Sequence, residues 1–306
     1  MNADAVIVTW RSRERVLDCL ERLASQHPAE RTFVVDNASR DGTVPGVRAR
    51  FPEVRVIELE ENRGFGAAVN AGVRSGDSEA ILLVNDDAML EPDAVQRLLA
   101  PLREQPKCGM VAGLTLMPGS GLVDGFGIEL DVTLAAYNRL RGRRPTDVPG
   151  RLAMPSGGLA AYRRTAFEQV GGFDERLFAY GEDVDLGLRL RLAGWTAAAA
   201  PEAMAVHEGG ASIGKGSARQ RALFGVARGF LLRRYGVLCG RHAPRTLLME
   251  AMVVGWGILA HRTIAPIASR ARGWRLAGSR RLTIPAGTID TEIGLREALR
   301  RLRSGA

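Results

Sequence analysis

The chain has 306 residues, of which 46% are apolar, and a formal net charge of +8, which suits one large globular domain or two small ones. Its three cysteines lie far apart in the sequence, which excludes a disulfide framework and a cysteine-rich metal cluster and indicates a reducing compartment. The sequence has no run of about 18 apolar residues and begins almost at once with a strand pattern, so we expect neither a membrane-spanning helix nor a signal peptide.

Apolar runs with strand character alternate with stretches of helical apolar spacing in the first part of the chain. The strand-like runs are residues 5–10, 32–35, 54–59, 80–84 and 110–117. Because parallel strands need a crossover segment between them, usually a helix, this alternation predicts a doubly wound, mostly parallel α/β sheet of the Rossmann-like type.

The remainder of the chain changes character twice. Residues 118–150 are rich in glycine and arginine, and we predict an irregular excursion there with one short helix. An amphipathic helix begins near Glu182, and a helical extension follows it. The helices of this extension are predicted at about residues 218–235, 245–262 and 291–303.

Polar side chains end three successive strands of the predicted sheet. They are Thr9, Asp36, Asn37, Asn85, Asp86 and Asp87. Parallel strands bring their carboxyl ends to one edge, which is where open α/β sheets bind ligands. The adjacent carboxylates of Asp86 and Asp87 repel each other, so they favour a divalent cation that also holds a diphosphate. The alternative is a solvated turn that caps the next helix.

Two loops at this edge have features of nucleotide contacts. The Asp36 carboxylate is a suitable acceptor for the imide N–H of uracil or thymine, although a local Asx-turn would also use it. In the loop 62–66, Arg63 suits a bidentate phosphate contact, and Gly64 lets the backbone approach an anion at the start of the following helix. The alternative is an ordinary entry into that helix.

Two further positions with acid–base or metal-binding chemistry lie in the second half of the chain. Glu182 and Asp183 open a helix, where acids are ordinarily stabilised by the helix dipole. The functional interpretation is a general base that takes the proton of an attacking hydroxyl group. His207 follows an apolar segment and is either structural or a neutral imidazole ligand to a metal that Asp87 also holds.

A glycine-rich loop, residues 208–216, follows directly. Its glycines predict a mobile lid, and Lys215 and Arg219 are placed to close on the phosphates of a ligand. We therefore expect this loop to become ordered when ligand and metal bind.

Four blocks, in this order, resemble family 2 glycosyltransferases of the GT-A fold: VVDNASRDGT, ENRGFGAAVNAG, LLVNDDAML and GGFDERLFAYGEDVDLGLRLRLAGW. The last block, followed by VHEGGAS, is most similar to bacterial rhamnosyltransferases. The resemblance covers about residues 4–215 and implies a metal-dependent, inverting glycosyltransferase that uses Mg²⁺ or Mn²⁺. It implies a GT-A catalytic domain at 1–217, with a nucleotide-binding half to about residue 117 and an acceptor half at 118–217, and a basic helical region at 218–306.

Individual roles follow from the resemblance. Asp183 corresponds to the inverting base, and Asp87 binds the metal together with His207. Asn85 occupies the first position of the family's Asp-x-Asp metal motif and Asp87 the last. The residues expected to contact the nucleotide-sugar are Thr9, Asp36, Arg63, Gly64, Asn85 and Asp86. Those expected to contact or support the acceptor are Glu182 and Trp195.

The resemblance favours dTDP-rhamnose as the donor and a growing cell-surface glycan or a polyprenyl-linked glycan as the acceptor. Another sugar, such as galactofuranose or a hexose, is the closest alternative. A sugar-nucleotide pyrophosphorylase fits less well, because residues 10–13 lack the glycine-rich loop of those enzymes. A non-catalytic glycan- or nucleic-acid-binding module is the alternative of another class. The aromatic residues of the extension have helical spacing rather than a base-stacking pattern, so we expect no nucleic acid partner.

The extension is strongly basic, because residues 219–306 hold 17 arginines and four acids. Its apolar run Leu247–Ala260 is too short to span about 30 Å of hydrocarbon. The arginines that flank this run are Arg241, Arg245, Arg262, Arg270, Arg272 and Arg275. This pattern favours a cytoplasmic protein attached peripherally to an anionic membrane surface at the inner face of the cell membrane. The alternative is packing on the catalytic domain or on a second copy, as in a homodimer.

Overall fold

The computed structural model describes residues 1–147, 150–208, 214 and 216–303 of the chain. Within these residues the chain forms twelve strands and ten α-helices. The strands are β1 (Ala3–Thr9), β2 (Thr32–Asp36), β3 (Arg55–Glu58), β4 (Ala80–Val84), β5 (Ala88–Leu90), β6 (Cys108–Leu116), β7 (Val123–Gly125), β8 (Ile128–Asp131), β9 (Ala136–Asn138), β10 (Leu159–Arg163), β11 (Thr196–His207) and β12 (Ile289–Asp290). The helices are α1 (Arg13–Ala24), α2 (Thr43–Arg50), α3 (Phe65–Arg74), α4 (Ala94–Glu104), α5 (Arg164–Gln169), α6 (Glu182–Leu192), α7 (Ala218–Arg234), α8 (Ala243–His261), α9 (Ala265–Leu276) and α10 (Leu295–Arg303).

Nine strands form one sheet in the order β3-β2-β1-β4-β10-β6-β11-β5, with β7 paired to β6. Strand β1 pairs in parallel with β2 and β4, and β6 pairs in parallel with β11. The predicted α/β fold class is confirmed. Strand β10 runs antiparallel between β4 and β6, which the sequence does not predict because an apolar extended run carries no signal for strand direction.

Helices cover both faces of this sheet. Successive side chains of a strand point to opposite faces, so Val6 packs in a core cluster with α3, α6 and α7, while Ile7 packs in a second cluster with α1 and α4. All five residues of β4 are buried, as expected for a central strand covered on both sides. Packing on both faces holds the strands in place, and this sets the position of the residues that follow each strand.

A second sheet, of order β12-β8-β9, forms where the sequence indicates an irregular excursion. The prediction of a short helix in residues 118–150 is wrong, because the described part of this segment forms β7, β8 and β9. The buried Asp131 organises its turn by accepting the backbone N–H groups of Thr133 and Ala135 at 2.8 and 3.1 Å. Arg245 of α8 lies 3.3 Å from the same carboxylate. Such long-range contacts leave no periodic signal in the sequence.

The helices predicted in the extension are confirmed as α7, α8 and α10. The sequence analysis does not predict α2 or α9, which begin at a turn and at a proline-containing segment respectively. A proline at the first helical positions is compatible with a helix, because its missing N–H would have no intrahelical partner there. Phe230 and Leu231 of α7 lie in the same core cluster as residues of the main sheet, so the extension begins as part of the body formed around that sheet.

Helices α7 and α9 approach each other through glycine. A Cβ at Gly273 would overlap the α7 backbone, and a Cβ at Gly225 would overlap the Ser269 side chain. Gly225 contacts Ser269, and about one turn later on both helices Phe230 contacts Gly273. The two helices therefore run in the same direction with their backbones in close contact.

Replacing Gly273 with alanine should lower the free energy of unfolding by about 1–3 kcal/mol, because the added methyl group must push α7 away from α9. Gly255→Ala is the matched control, since Gly255 also lies inside a helix but a Cβ there meets nothing within 4 Å. That control should stabilise the protein by up to about 1 kcal/mol. Urea unfolding measures both, and equal effects of the two substitutions would contradict the close packing of α7 on α9.

Candidate active site

The carboxyl ends of β2, β1 and β4 lie side by side. Thr9 pairs with Asp36, and Val6 pairs with Leu83. Thr9 comes three residues after Val6, and Asp86 comes three residues after Leu83. Since Val6 and Leu83 are paired, Asp86 lies at about the level of Thr9. The structure therefore brings these polar residues to one rim, as expected for the edge at which parallel sheets bind ligands.

Asp36 has one engaged and one free carboxylate oxygen. Its Oδ2 accepts the backbone N–H of Ser39 at 3.1 Å, which is the local turn considered as the alternative for this residue. Its Oδ1 is buried and has no hydrogen-bond partner among the described residues. A buried acceptor without a donor is costly, so this oxygen is suited to the N–H group of a ligand.

The side chain of Asn37 holds the loop after β3 against the rim. Its Oδ1 accepts the backbone N–H of Arg63 at 2.9 Å, and its Nδ2 donates to the Gly64 carbonyl at 3.1 Å. Gly64 has a φ of +86°, and a Cβ there would overlap the Phe178 carbonyl, so the position requires glycine. The Arg63 guanidinium donates to Glu175 at 2.9 Å.

Asp86 and Asp87 follow β4 in different environments. Burial and the charge of Asp87 raise the pKa of Asp86 to about 6. The hydroxyl groups of Thr9 and Ser12 oppose this rise, although neither makes a hydrogen bond of good geometry. Burial also raises the pKa of Asp87, but a hydrogen bond to His207 and the charge of that imidazole outweigh it and lower the pKa overall. Asp87 is therefore the more readily ionised acid of the two.

His207, the last residue of β11, lies between two carboxylates. Its Nε2 is 3.0 Å from Asp87 Oδ1, and its Nδ1 is 2.7 Å from Asp124 Oδ2. The Asn85 side-chain amide lies 3.2 Å from the same Nε2, and Arg141 pairs with the other oxygen of Asp124. Burial lowers the pKa of His207, but the hydrogen bonds and charges of the two carboxylates raise it to about 9.

The sequence pattern does not single out Asp124 or Arg15 as members of this cluster. Asp124 lies in β7, inside the excursion that looks irregular, and only tertiary contacts bring it to the rim. Arg15 lies on α1, where its charge lowers the pKa of both Asp86 and Asp87, and its Nε donates to Glu208 at 3.0 Å. The sequence signal for Arg15 is its position in the first turn of α1. That turn follows β1 directly, and β1 ends at the rim.

Glu182 and Asp183 open α6. Asp183 Oδ1 accepts the backbone N–H of Val184 at 2.8 Å, and the side chain stays partly accessible although protein surrounds most of it. Burial raises the pKa of Asp183, and this hydrogen bond opposes the rise. Burial and the Asp183 charge raise the pKa of Glu182 further, and Glu182 Oε2 has no hydrogen-bond partner within the described chain. Glu182 thus retains a proton more strongly, which leaves Asp183 as the ionised member near neutral pH.

The start of α6 is tied to the rim through its approach segment. Phe178, five residues before Asp183, accepts the backbone N–H of Phe65, the first residue of α3, at 2.9 Å. The Arg219 guanidinium lies 5.5 Å from the Phe178 ring and 5.6 Å from the ring of Trp10, the residue after β1. Arg219 therefore lies between the end of β1 and the segment that leads to Asp183.

Asp185 serves a structural network, although it lies in the same turn as Asp183. It is fully buried, and its Oδ2 accepts Arg189 Nε at 2.7 Å while its Oδ1 accepts the Tyr235 hydroxyl at 2.8 Å. Its carboxylate is therefore satisfied by protein groups and ties α6 to the end of α7.

The structure does not bring Trp195 to the rim. Trp195 follows the C-terminal end of α6, whose eleven residues span about 16 Å from the end that carries Asp183. Its indole N–H donates to Gln169 at 2.8 Å. Lys215 lies outside the described residues, as does most of the loop 208–216, so the predicted lid stays a prediction.

The fold and the acidic rim agree with the family assignment. The chain belongs to glycosyltransferase family 2, because the family model described as "Glycosyltransferase like family 2" matches residues 3–223. It is 32% identical over 237 residues to the N-acetylglucosaminyl-diphospho-decaprenol L-rhamnosyltransferase of Mycobacterium tuberculosis, covering 68% of this chain and 76% of that protein. It is also 32% identical over 192 residues to the uncharacterized glycosyltransferase YwdF of Bacillus subtilis, covering 62% and 68%.

Solved structures show the same fold. GalNAc-T7 with UDP, GalNAc and Mn²⁺ has a TM-score of 0.59 at 14% identity, over 77% of this chain and 48% of that chain, so the match spans about half of GalNAc-T7. The mannosyltransferase PcManGT of Pyrobaculum calidifontis, in complex with GDP-Man and Mn²⁺, has a TM-score of 0.54 at 20% identity, over 99% and 79%. The predicted GT-A fold is confirmed by these similarities.

Asn37→Ala should lower the free energy of unfolding by about 1–3 kcal/mol, because it removes the acceptor of the Arg63 N–H and one donor to the buried Gly64 carbonyl, which keeps the Ala68 N–H at 3.3 Å. Hydrogen exchange of the Arg63 amide should accelerate in the same variant. The control is Asn2→Ala, since Asn2 is exposed at the start of β1, and it should change neither quantity. Unaltered exchange of the Arg63 amide in Asn37→Ala would show that other contacts hold the loop.

Proposed function

We propose that the chain is a metal-dependent, inverting glycosyltransferase that moves a sugar from a nucleotide-diphospho-sugar to an acceptor hydroxyl group. The environment of Asp183 carries this proposal. A general base for an attacking hydroxyl must be accessible and ionised near neutral pH. Asp183 is partly accessible, and its neighbour Glu182 retains the proton of the pair.

The reaction is a single displacement. The acceptor oxygen bonds to the anomeric carbon while the bond from that carbon to the diphosphate oxygen breaks, and the leaving nucleoside diphosphate takes the electron pair. The hydroxyl proton passes to Asp183. One displacement inverts the anomeric configuration and needs one base but no covalent nucleophile. Glu182, held neutral beside the base, supports the ionised state of Asp183.

The donor nucleotide is proposed to bind along the rim. Asp36 Oδ1 is buried without a donor and suits the imide N–H of uracil or thymine. Thr9 pairs with Asp36 in the sheet and, with Asp86, lines the rim on which the nucleoside rests. In this assignment, residues 1–117 form the nucleotide-binding half and residues 118–217 the acceptor half.

The diphosphate is proposed to lie between the Gly64 loop and Arg219. Gly64 gives the backbone close access, and the start of α3 behind it favours an anion. Arg219 supplies a guanidinium beside the end of β1. Arg63 pairs with Glu175, so a phosphate contact by Arg63 requires this exposed ion pair to open, which costs little.

Asp87 and His207 fit a divalent cation. Their nearest ligand atoms lie 3.0 Å apart, the separation of two adjacent ligands on an octahedral ion with bonds of about 2.1 Å. No group of three or more metal-binding side chains occurs among the described residues, and Mg²⁺ or Mn²⁺ commonly completes its shell with water and substrate phosphates. When bound, the ion neutralises charge on the leaving diphosphate. Asp124 would orient the imidazole through Nδ1, and Asn85 would border the site.

The favoured donor is dTDP-rhamnose, and the favoured acceptor is a polyprenyl-linked or cell-surface glycan. Both proposals are supported by the name of the Mycobacterium tuberculosis relative, an L-rhamnosyltransferase whose named acceptor carries N-acetylglucosamine on diphospho-decaprenol. A lipid-linked acceptor also favours a cytoplasmic location at the inner face of the membrane. Galactofuranose or a hexose in place of rhamnose would leave the proposed base and diphosphate contacts unchanged.

A screen of nucleotide-sugars by thermal shift, with and without Mn²⁺, identifies the donor. A ligand that binds only the folded state stabilises it by RT ln(1 + L/Kd), where L is the free ligand concentration, so at equal concentration a tighter ligand raises the unfolding temperature more. We expect dTDP-rhamnose with Mn²⁺ to give the largest shift. A larger shift from another nucleotide-sugar would replace the donor, and no shift from any member would contradict the proposed function.

Asp183→Asn should reduce the turnover rate by about 10²–10⁴-fold while donor affinity stays unchanged, because the amide keeps the shape of the side chain but cannot take a proton. Asp185→Asn is the comparison: it should mainly lower stability, since Asp185 is paired with Arg189 and Tyr235. Steady-state rates and donor titrations measure both. A greater rate loss in a folded Asp185→Asn variant would transfer the role of base to Asp185.

The assignment of Asp183 as the base also predicts the shape of the pH–rate profile. The base acts only when deprotonated, so the wild-type rate should fall as the pH drops through the pKa of Asp183. Because burial raises that pKa, the fall should begin above the range of an ordinary aspartate. This limb should be missing from the residual activity of Asp183→Asn.

A further inference from the structure

Helices α8 and α9 meet in a hairpin whose tip is apolar and exposed. We define the hairpin tip as Trp256, Leu259, Ile264 and Ile267, whose exposed fractions are 74%, 78%, 72% and 52%. Isolated exposed apolar residues are ordinary, but a contiguous exposed patch marks an interaction surface. The tip is such a patch, because it joins the last turns of α8 to the first turn of α9.

The apolar character of α8 is not explained by its packing. Its first half is anchored, since Thr246 and Met249 are buried and Met249 packs in a cluster with Tyr137. From Val253 to His261, by contrast, no residue is fully buried. The second half of α8 therefore leaves Trp256 and Leu259 largely in solvent, while Val254 and Ile258 are half-buried.

The charge around the tip has one sign. Helices α8 and α9 contain a single acid, Glu250. Arg228 and Arg270 each hold this carboxylate at 2.6 Å, so it presents no free negative charge. Arg262 is exposed in the turn between α8 and α9, and Arg272 is exposed further along α9. The patch thus combines apolar side chains with cations and no unneutralised acid on these two helices.

Two arginines assigned from the sequence to a membrane flank have internal roles instead. Arg270 pairs with Glu250, and Arg245 pairs with Asp131 and donates to the Ile293 carbonyl at 2.8 Å. Their substitution would test the fold rather than a surface.

We propose that the hairpin tip docks on an anionic membrane surface. Apolar side chains flanked by exposed arginines match lipid headgroups over a hydrocarbon layer. A second copy of the chain fits less well, because a two-fold contact through the tip would bring the exposed Arg262 of both copies into one interface without an acid from α8 or α9 to pair with them. Within the described residues no helix is long and apolar enough to cross a bilayer, so the contact is a surface one.

The direction of the helices sets the orientation. Helix α9 runs parallel to α7, and α8 returns antiparallel beside α9, with Gly257 against Pro266. The tip consequently lies level with the first turns of α7, which carry Arg219. Docking through the tip brings the membrane to the end of the molecule at which Arg219 borders the active site. This orientation would serve catalysis only if the acceptor is lipid-linked, as proposed above. The docking itself does not depend on that proposal.

Flotation with vesicles tests the docking directly. The full chain should bind vesicles of phosphatidylglycerol and phosphatidylcholine at low salt, and binding should fall as salt rises. The variant Leu259→Ser, Ile264→Ser should bind at least about 100-fold more weakly, because two apolar side chains no longer enter the bilayer. The variant Arg262→Gln, Arg272→Gln should bind about 30-fold more weakly, as expected from about 1 kcal/mol per basic residue.

Matched controls lie elsewhere on the surface. Leu192→Ser removes an exposed leucine at the opposite end of α6 from Asp183. Arg22→Gln with Arg103→Gln removes two exposed arginines from α1 and α4. All variants should keep the wild-type unfolding temperature and donor affinity, and the controls should keep vesicle binding. Brominated lipids should quench the fluorescence of Trp256, and Trp256→Phe should abolish that quenching.

The outcomes separate docking from the proposed function. Unchanged binding by Leu259→Ser, Ile264→Ser would overturn the proposal, and so would equal binding of the wild type to neutral vesicles. A dimer that this variant dissociates in sedimentation velocity, without vesicle binding by the wild type, would assign the tip to a second copy. Donor titrations on the same samples report the active site independently, so either proposal can fail alone.

Discussion

Desolvated carboxylates at the carboxyl edge of the sheet are the constraint on which the arrangement of this protein depends. Burial acts to raise the pKa of Asp86, Asp87 and Asp124, but for Asp87 and Asp124 the hydrogen bonds and charges of His207 and neighbouring arginines outweigh it and lower the pKa overall. A cluster of buried carboxylates is stable only when cations or protons accompany it. The chain supplies them from distant segments: His207 comes from the end of β11 and Arg141 from the excursion. In the proposed metal site, the ion would take the place of the Nε2 proton that joins His207 to Asp87 in this structure.

The same need to compensate a buried carboxylate gives Asp183 and Asp185 different roles, although both lie in one turn of α6. Asp185 is fully buried and receives hydrogen bonds from Arg189 and Tyr235, so its charge is committed to the fold. Asp183 receives a backbone N–H and keeps access to solvent. Sequence spacing does not distinguish them, because both follow Gly181 within one turn. Only the closure of α7 onto α6, which delivers Tyr235, shows which acid is structural and which is available for chemistry.

The parts of the site that the sequence predicts are those that follow from local signals and one topological rule. Asp36, Asp86 and Asp87 end buried apolar runs, and parallel strands must end at one edge, so their convergence could be anticipated. Asp124 could not, because β7 pairs with the neighbouring strand β6, and the contact that matters joins Asp124 to His207, 83 residues further along the chain. The direction of β10 could not be predicted because an apolar extended run carries no signal for strand direction, and α9 is missed because it begins at a proline-containing segment. Trp195 is the opposite case. It belongs to a sequence block that resembles the family, but it follows the end of α6 that lies away from the rim.

Asp87 and His207 are proposed to hold a divalent cation against the diphosphate of a donor on this rim. Calorimetric titration of the nucleoside diphosphate dTDP, with and without Mn²⁺, tests this proposal most directly. Mn²⁺ should increase the affinity of the wild type, and Asp87→Ala should lose that increase. The control Asp77→Ala should retain it, because Asp77 is 85% exposed at the opposite edge and pairs only with Arg31 among the described ion pairs. Undiminished Mn²⁺-dependent affinity in Asp87→Ala would contradict the account.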